Sequence, residues 1–222
     1  MSSERKARSA NFNNLKDLLK EAFYYQYADI SDTEEQIVKK KPKLFFTKIQ
    51  WFIILFAILV NIVIRTGYNL DFCGYVISGL SLFVGIFFTF IIALYDKFNA
   101  IDFSQYRISV SEDKCNLGVR LKNYFKKTTV LSLYLILLSI VCILFLSCTL
   151  LFDSFLNQDI NLLEIFQNIR AISIIYFFKA LVILLYRSIV FYFLIDFVLI
   201  TIYLTSSIYD FIISEYNKVK LQ

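Results

Sequence analysis

Between Ala171 and Ile213 the chain reads as one apolar stretch, yet it carries Lys179, Arg187 and Asp196. Ionisable groups are costly in hydrocarbon and seldom face it; they face a protein interior or a water-filled path. Ser188, Tyr192, Asp196, Leu199, Tyr203, Ser206 and Asp210 follow at steps of four, four, three, four, three and four. On a helix those steps fall on one face. Apart from Leu199 the face is polar, and the chemistry it offers is ion passage. Its hydroxyls would touch water, and Asp196 would form an acidic ring favouring cations if copies surround an axis. The plainer alternative is a hydrogen-bonded aspartate inside a bundle.

Asp196 has no basic group within the other apolar segments to neutralise it. Arg187 stands half a turn round the same helix and about 13 Å along it, too far to pair. The aspartate is therefore protonated, paired with another chain, or in contact with water. Lys179 and Arg187 read as anchors that snorkel to headgroups, with an anion-drawing vestibule as the functional alternative.

A second pattern is made of small residues. Gly74, Ser78, Ser81, Gly85 and Thr89 are spaced four, three, four and four apart. Small side chains on one helix face let another helix approach closely, so the stripe reads as a packing seam or as a pore wall. Ser132, Ser139, Cys142 and Thr149 repeat the theme more weakly.

The elements that carry these residues are membrane helices. Of 222 residues 58% are hydrophobic, with 24 Phe and 15 Tyr, and the mean hydropathy is +0.63. That is well above a soluble domain. About 20 apolar residues cross a bilayer, and four segments qualify, beginning with the one that Trp51 anchors. Of the 23 lysines and arginines, 19 lie before the first span, between the second and third, or after the fourth. The positive-inside rule then puts both termini in the cytoplasm. A five-span layout would break the last stretch at Arg187-Ser188, where turn residues are lacking.

The expected architecture is all-α and integral to the membrane. Residues 1–48 form a basic, amphipathic helical segment in the cytoplasm, and 49–95 hold spans one and two. Residues 96–129 form a basic cytoplasmic loop, and 130–152 the third span. Residues 153–187 are external or interfacial and helical, 188–213 are the fourth span, and 214–222 a cytoplasmic tail. In the first segment Leu15, Leu18, Leu19, Ala22 and Phe23 make an apolar helix face. Ser31-Asp32-Thr33-Glu34 reads as a capping box opening a second helix, which Pro42 bends or ends.

Cations and aromatics interleave on the cytoplasmic side. Arg5, Lys6, Arg8, Lys16, Lys20, Arg120 and Lys122 can meet anionic lipid, or hold a nucleotide or single-stranded oligonucleotide by phosphate pairing with base stacking. Enzymatic chemistry is not expected. There is no histidine, no nucleophile–base pair and no phosphate-cradling glycine loop. The four cysteines form no CxxC pair and read as small hydrophobes, so neither a metal nor another cofactor is expected.

At the second span, which runs from Gly74 to Tyr95, the stretch Ile77 to Phe98 reads ISGLSLFVGIFFTFIIALYDKF. It resembles small multi-span membrane effectors of bacterial anti-phage nucleotide-signalling systems, in particular the Hailong-type channel effectors. A basic, partly helical segment precedes the spans in such proteins. Two-span effectors of similar synthetases are a second resemblance. The resemblance covers roughly Phe12 to Phe98 and carries over no functional residue. It implies a homo-oligomeric ion channel of the inner membrane, a tetramer for instance. Such a channel is gated by a nucleotide from a nucleotidyltransferase partner and depolarises the infected cell. The alternative expectation is a non-conducting membrane anchor or accessory subunit for a cytoplasmic partner.

Overall fold

The computed structural model describes residues 2–26, 48–64, 66–106, 112–160 and 174–216. Every regular element among them is helical: α1 Ser2–Tyr25, α2 Lys48–Val63, α3 Leu70–Asn99, α4 Glu112–Leu151, α5 Asp153–Leu156 and α6 Ile174–Tyr216. A 3-10 turn lies at Phe103–Tyr106. The capping box at Ser31 and the helix expected after it lie outside the described residues.

Three of these helices, α3, α4 and α6, are long and apolar enough to cross a membrane. The apolar α2 has 16 residues, about 24 Å against a hydrocarbon core of about 30 Å. Local chemistry fixes the start of α3. Asn69 Oδ1 accepts the Asp71 N–H at 2.9 Å and caps the helix. Asp71 in the first turn and Lys97 in the last complement its dipole.

Two helices run further than the sequence reading placed them. In α4, 40 residues long, the helix already begins at Glu112, inside the segment expected as a loop. The lysines and arginines there set a boundary to the apolar region, not to the helix, because straight-chain residues are good helix formers. In α6, 43 residues long, the helix passes unbroken through Arg187 and Ser188. No turn divides it into two spans, and 174–187 continue the same helix. Residues 161–173 lie outside the described part.

The chain forms two compact units, the first from Met1–Lys43, Gly85–Leu137 and Ile200–Gln222, the second from Leu44–Val84 and Leu138–Leu199. In the first, Leu94, Tyr124 and Phe125 form a core on which Phe90, Phe98, Leu121 and Phe211 pack. Tyr124 stacks on Phe211 with ring centroids 3.7 Å apart. The end of α1 joins this unit through buried Ala22 and Tyr25, and Glu21 pairs with Lys126 at 3.2 Å.

In the second unit α4 and α6 run antiparallel. Phe145 meets Phe193 at 5.8 Å, and further along α4 Thr149 meets Tyr186 at 3.1 Å. On the other side of α6, α2 brings Phe56 against Phe191, at 6.2 Å, and Ile62 against the core of Ile160, Ala180 and Ile183.

The helices differ sharply in how much of themselves the chain covers. Half of the most apolar window of α4 is buried, but only 11% of that of α3. On α4, Ser132 and Ser139 are fully covered and Cys142 and Thr149 almost so. The weaker of the two small-residue stripes is thus the one its own chain packs against. On α3 the buried residues are Cys73, Leu80, Phe87 and Leu94, seven apart, a single line of contact.

Leu146 is fully buried on α4, whereas Leu144 is 61% exposed. Leu146→Ala is expected to lower thermal stability in detergent by about 2–5 kcal/mol, and Leu144→Ala by far less. Equal losses at both positions would contradict this packing.

Candidate functional site

The polar groups of the second unit gather where two connections meet. One joins α2 to α3 and the other follows α4. Arg187 comes from α6 and is 4% exposed. Its Nε and Nη2 donate to the Leu156 carbonyl at 3.1 and 2.8 Å, and Nη2 donates to the Gln158 carbonyl at 2.9 Å. These carbonyls lie at the last residue of α5 and just beyond it, outside the helical ladder. A planar guanidinium can reach both at once, which a lysine ammonium does poorly. The expectation that Arg187 snorkels to headgroups is corrected accordingly. The guanidinium turns inward, because its own chain offers it buried carbonyls.

Tyr68 ties the first connection to the same place. Its hydroxyl donates to the Arg187 carbonyl at 2.9 Å, and its N–H donates to Asn157 Oδ1 at 3.0 Å. Burial pushes the Tyr68 phenol above its ordinary range, against the downward pull of the Arg187 guanidinium, so it keeps the proton it donates. Asn157 also donates to Asp153. Gly67 permits this approach. A Cβ there would stand 2.6 Å from the Asn157 Cα and 2.3 Å from its Oδ1.

Nearby on α4 and α6, the Tyr186 hydroxyl donates to the Phe145 carbonyl and meets Thr149. Lys179 places its ammonium 5.3 Å from the centre of the Phe155 ring.

The expected polar face of α6 is not one surface. In the second unit Ser188 and Asp196 are buried and Tyr192 is half-buried. Asp196 is 3% exposed, with Cys142 of α4 in electrostatic reach and its neighbour Phe197 edge-on to Phe83 at 5.5 Å. The Ser188 hydroxyl is buried with no hydrogen-bond partner among the described residues. In the first unit Tyr203 is half-buried, and Ser206 and Asp210 are exposed.

The stripe of α3 behaves differently. Ser78, Ser81, Gly85 and Thr89 are exposed, and Gly74 is half-buried. A Cβ added at Gly74 or Gly85 would meet nothing within 4 Å. Each hydroxyl is satisfied by its own helix: Ser78 by the Gly74 carbonyl, Ser81 by that of Ile77, and Thr89 by that of Ile86, at 2.8–2.9 Å.

Of the cations singled out in the sequence, Lys16, Lys20, Arg120 and Lys122 are exposed. The side chains of Arg5, Lys6 and Arg8 lie outside the described part. Lys126, one turn on from Lys122, pairs with Glu21 at 3.2 Å and lies 5.7 Å from the centre of the Tyr25 ring. Among known proteins, no family model, no curated protein and no solved structure matches the chain.

Nothing in the sequence pointed to Tyr68, Asn157 or Gly67, since Tyr68 and Asn157 are 89 residues apart. Arg187→Lys is expected to cost about 1–3 kcal/mol of stability in detergent, the penalty for leaving a buried acceptor bare. Tyr68→Phe should cost about 1 kcal/mol. Wild-type melting of both variants would show that these bonds do not hold the two connections.

Proposed function

We propose that the chain is the subunit of a homo-oligomeric membrane channel, with α2, α3, α4 and α6 as its four spans. Copies meet, or enclose a path, through the small-residue stripe of α3. The observation that carries this reading is that the stripe faces away from its own chain. It lies roughly 80–160° round the helix from the single buried line, and its hydroxyls need no outside partner. Between helices in lipid, long apolar side chains gain little over acyl tails, while small ones let two backbones close up.

The short α2 completes the fourth span by local thinning of the bilayer or with the residues before it. The distribution of cations supports cytoplasmic termini, and the resemblance to bacterial effectors implies the inner membrane. With Asp196 enclosed by its own chain, the wall of the path is assigned to α3. Exposed Lys16, Lys20, Arg120 and Lys122 offer phosphate-binding charge. Together with the resemblance to nucleotide-signalling effectors, they support a nucleotide or oligonucleotide as the gating ligand and a role in anti-phage defence.

The test is flux from liposomes combined with disulfide capture. In a Cys115→Ser, Cys148→Ser background, Ser81→Cys should cross-link copies under mild oxidation. Ser81→Trp should lower flux about tenfold or more, since overpacking a close contact costs about 1–3 kcal/mol. Ile86→Trp, exposed on a different side of α3, should leave flux unchanged. A monomer without flux would favour the non-conducting anchor instead. A change of ion selectivity in Asp196→Asn would return Asp196 to the path.

A further inference from the structure

In the first unit, α3 and α4 leave a crevice between them of about 540 Å³, a size common among ligand sites. Its wall is largely apolar: Ile91, Ile92, Leu94, Tyr95 and Phe98 of α3 face Phe125 and Val130 of α4, and Thr129 and Tyr95 carry its hydroxyls. Its mouth is charged. Lys122 and Lys126 stand one turn apart on α4, on the same face, and Glu21 of α1 lines the crevice beside Lys126. Within one further turn α4 passes from Lys126 to Val130.

We propose that this crevice binds an anionic phospholipid, with the phosphate at Lys122 and Lys126 and one acyl chain along the isoleucine wall. Charge selects the headgroup. One carboxylate against two ammonium groups leaves the mouth positive, and no carboxylate among the described residues pairs with Lys122. Basic pockets between membrane helices bind anionic headgroups on these terms.

The wall selects the rest of the molecule. A peptide lying there would leave backbone groups unpaired, and a nucleotide, though it has rings to stack on, would leave its base edges only the Thr129 and Tyr95 hydroxyls to meet. An acyl chain has nothing to satisfy. Lys126 is already held by Glu21 at 3.2 Å, so a phosphate competes with that carboxylate for the ammonium. Lipid binding therefore loosens the ion pair that fastens the end of α1. None of this depends on whether copies assemble into a channel.

The experiment is native mass spectrometry of the full chain in a neutral detergent. Phosphatidylglycerol, phosphatidylcholine of the same chains, and glycerol 3-phosphate are added separately. Phosphatidylglycerol should be retained well above phosphatidylcholine, and the free headgroup not at all. Lys122→Gln with Lys126→Gln should lower that retention by about fivefold per lysine. Lys218→Gln with Lys220→Gln, which removes the same charge from the C-terminal tail, should leave it unchanged. Ile92→Trp, filling the crevice, should lower retention with the lysines intact, and Glu21→Gln should raise it. Equal retention of the two lipids, an equal loss in the Lys218/Lys220 control, or full retention in Ile92→Trp would overturn the site. Retention of glycerol 3-phosphate as firmly as the lipid would replace it with a site for a small soluble anion.

Discussion

A peptide group that leaves helical geometry beside hydrocarbon must find its partner within the protein, because no water is there to take it. Most of this chain meets that condition by remaining helical. The difficult places are the turns, and the one after α4 is met by Arg187. Its guanidinium supplies the donors that the Leu156 and Gln158 carbonyls lack. Tyr68 then bonds the backbone of that same residue, and Gly67 lets Asn157 come close enough to accept from Tyr68. A charge that looks anomalous inside an apolar stretch is what allows the stretch to be joined to its neighbours.

With the turns secured, the long helices divide the work between them. Small side chains on α4 are covered, so that neighbouring elements close over Ser139, Cys142 and Thr149 in the second unit. Comparable side chains on α3 are left open. Both stripes have helical spacing, and spacing alone does not say which is covered. The difference lies in what else the helix carries. α4 has large buried leucines beside its small residues, Leu131, Leu135 and Leu146, which fall on the same side of the helix and widen the covered face. α3 presents one narrow line of contact and exposes Tyr75, Leu82, Ile86 and Ile92 elsewhere.

Much of the fold was legible in the sequence for reasons of composition. Runs of apolar residues longer than a bilayer requires have few readings other than membrane helices, and α3, α4 and α6 are such helices. Their ends were less legible. The basic residues of 112–129 mark where hydrocarbon would stop, and a helix has no need to stop there. Arg187 was read by type, as a residue that snorkels, when its carbonyl partners come from a turn about 30 positions earlier that no local pattern announces. The contact between Tyr68 and Asn157 was hidden for the same reason. The Glu21–Lys126 pair escaped because each residue alone looks like an ordinary surface charge.

The polar face of α6 shows why azimuth and environment must be kept apart. Ser188, Tyr192, Asp196, Tyr203, Ser206 and Asp210 do share one side of a helix, yet they pass from buried to exposed along it. Periodicity fixes the direction in which a side chain leaves the helix, whereas the neighbours present at each level decide what it meets. For Asp196 those neighbours belong to its own chain, which covers it almost completely. The stripe of α3 carries no charge and its hydroxyls are satisfied within the helix, so the association proposed for it would have no charge to desolvate. A chain that turns its charges inward and leaves its small uncharged residues outside can associate in lipid by close approach of backbones, with no ion pair to break.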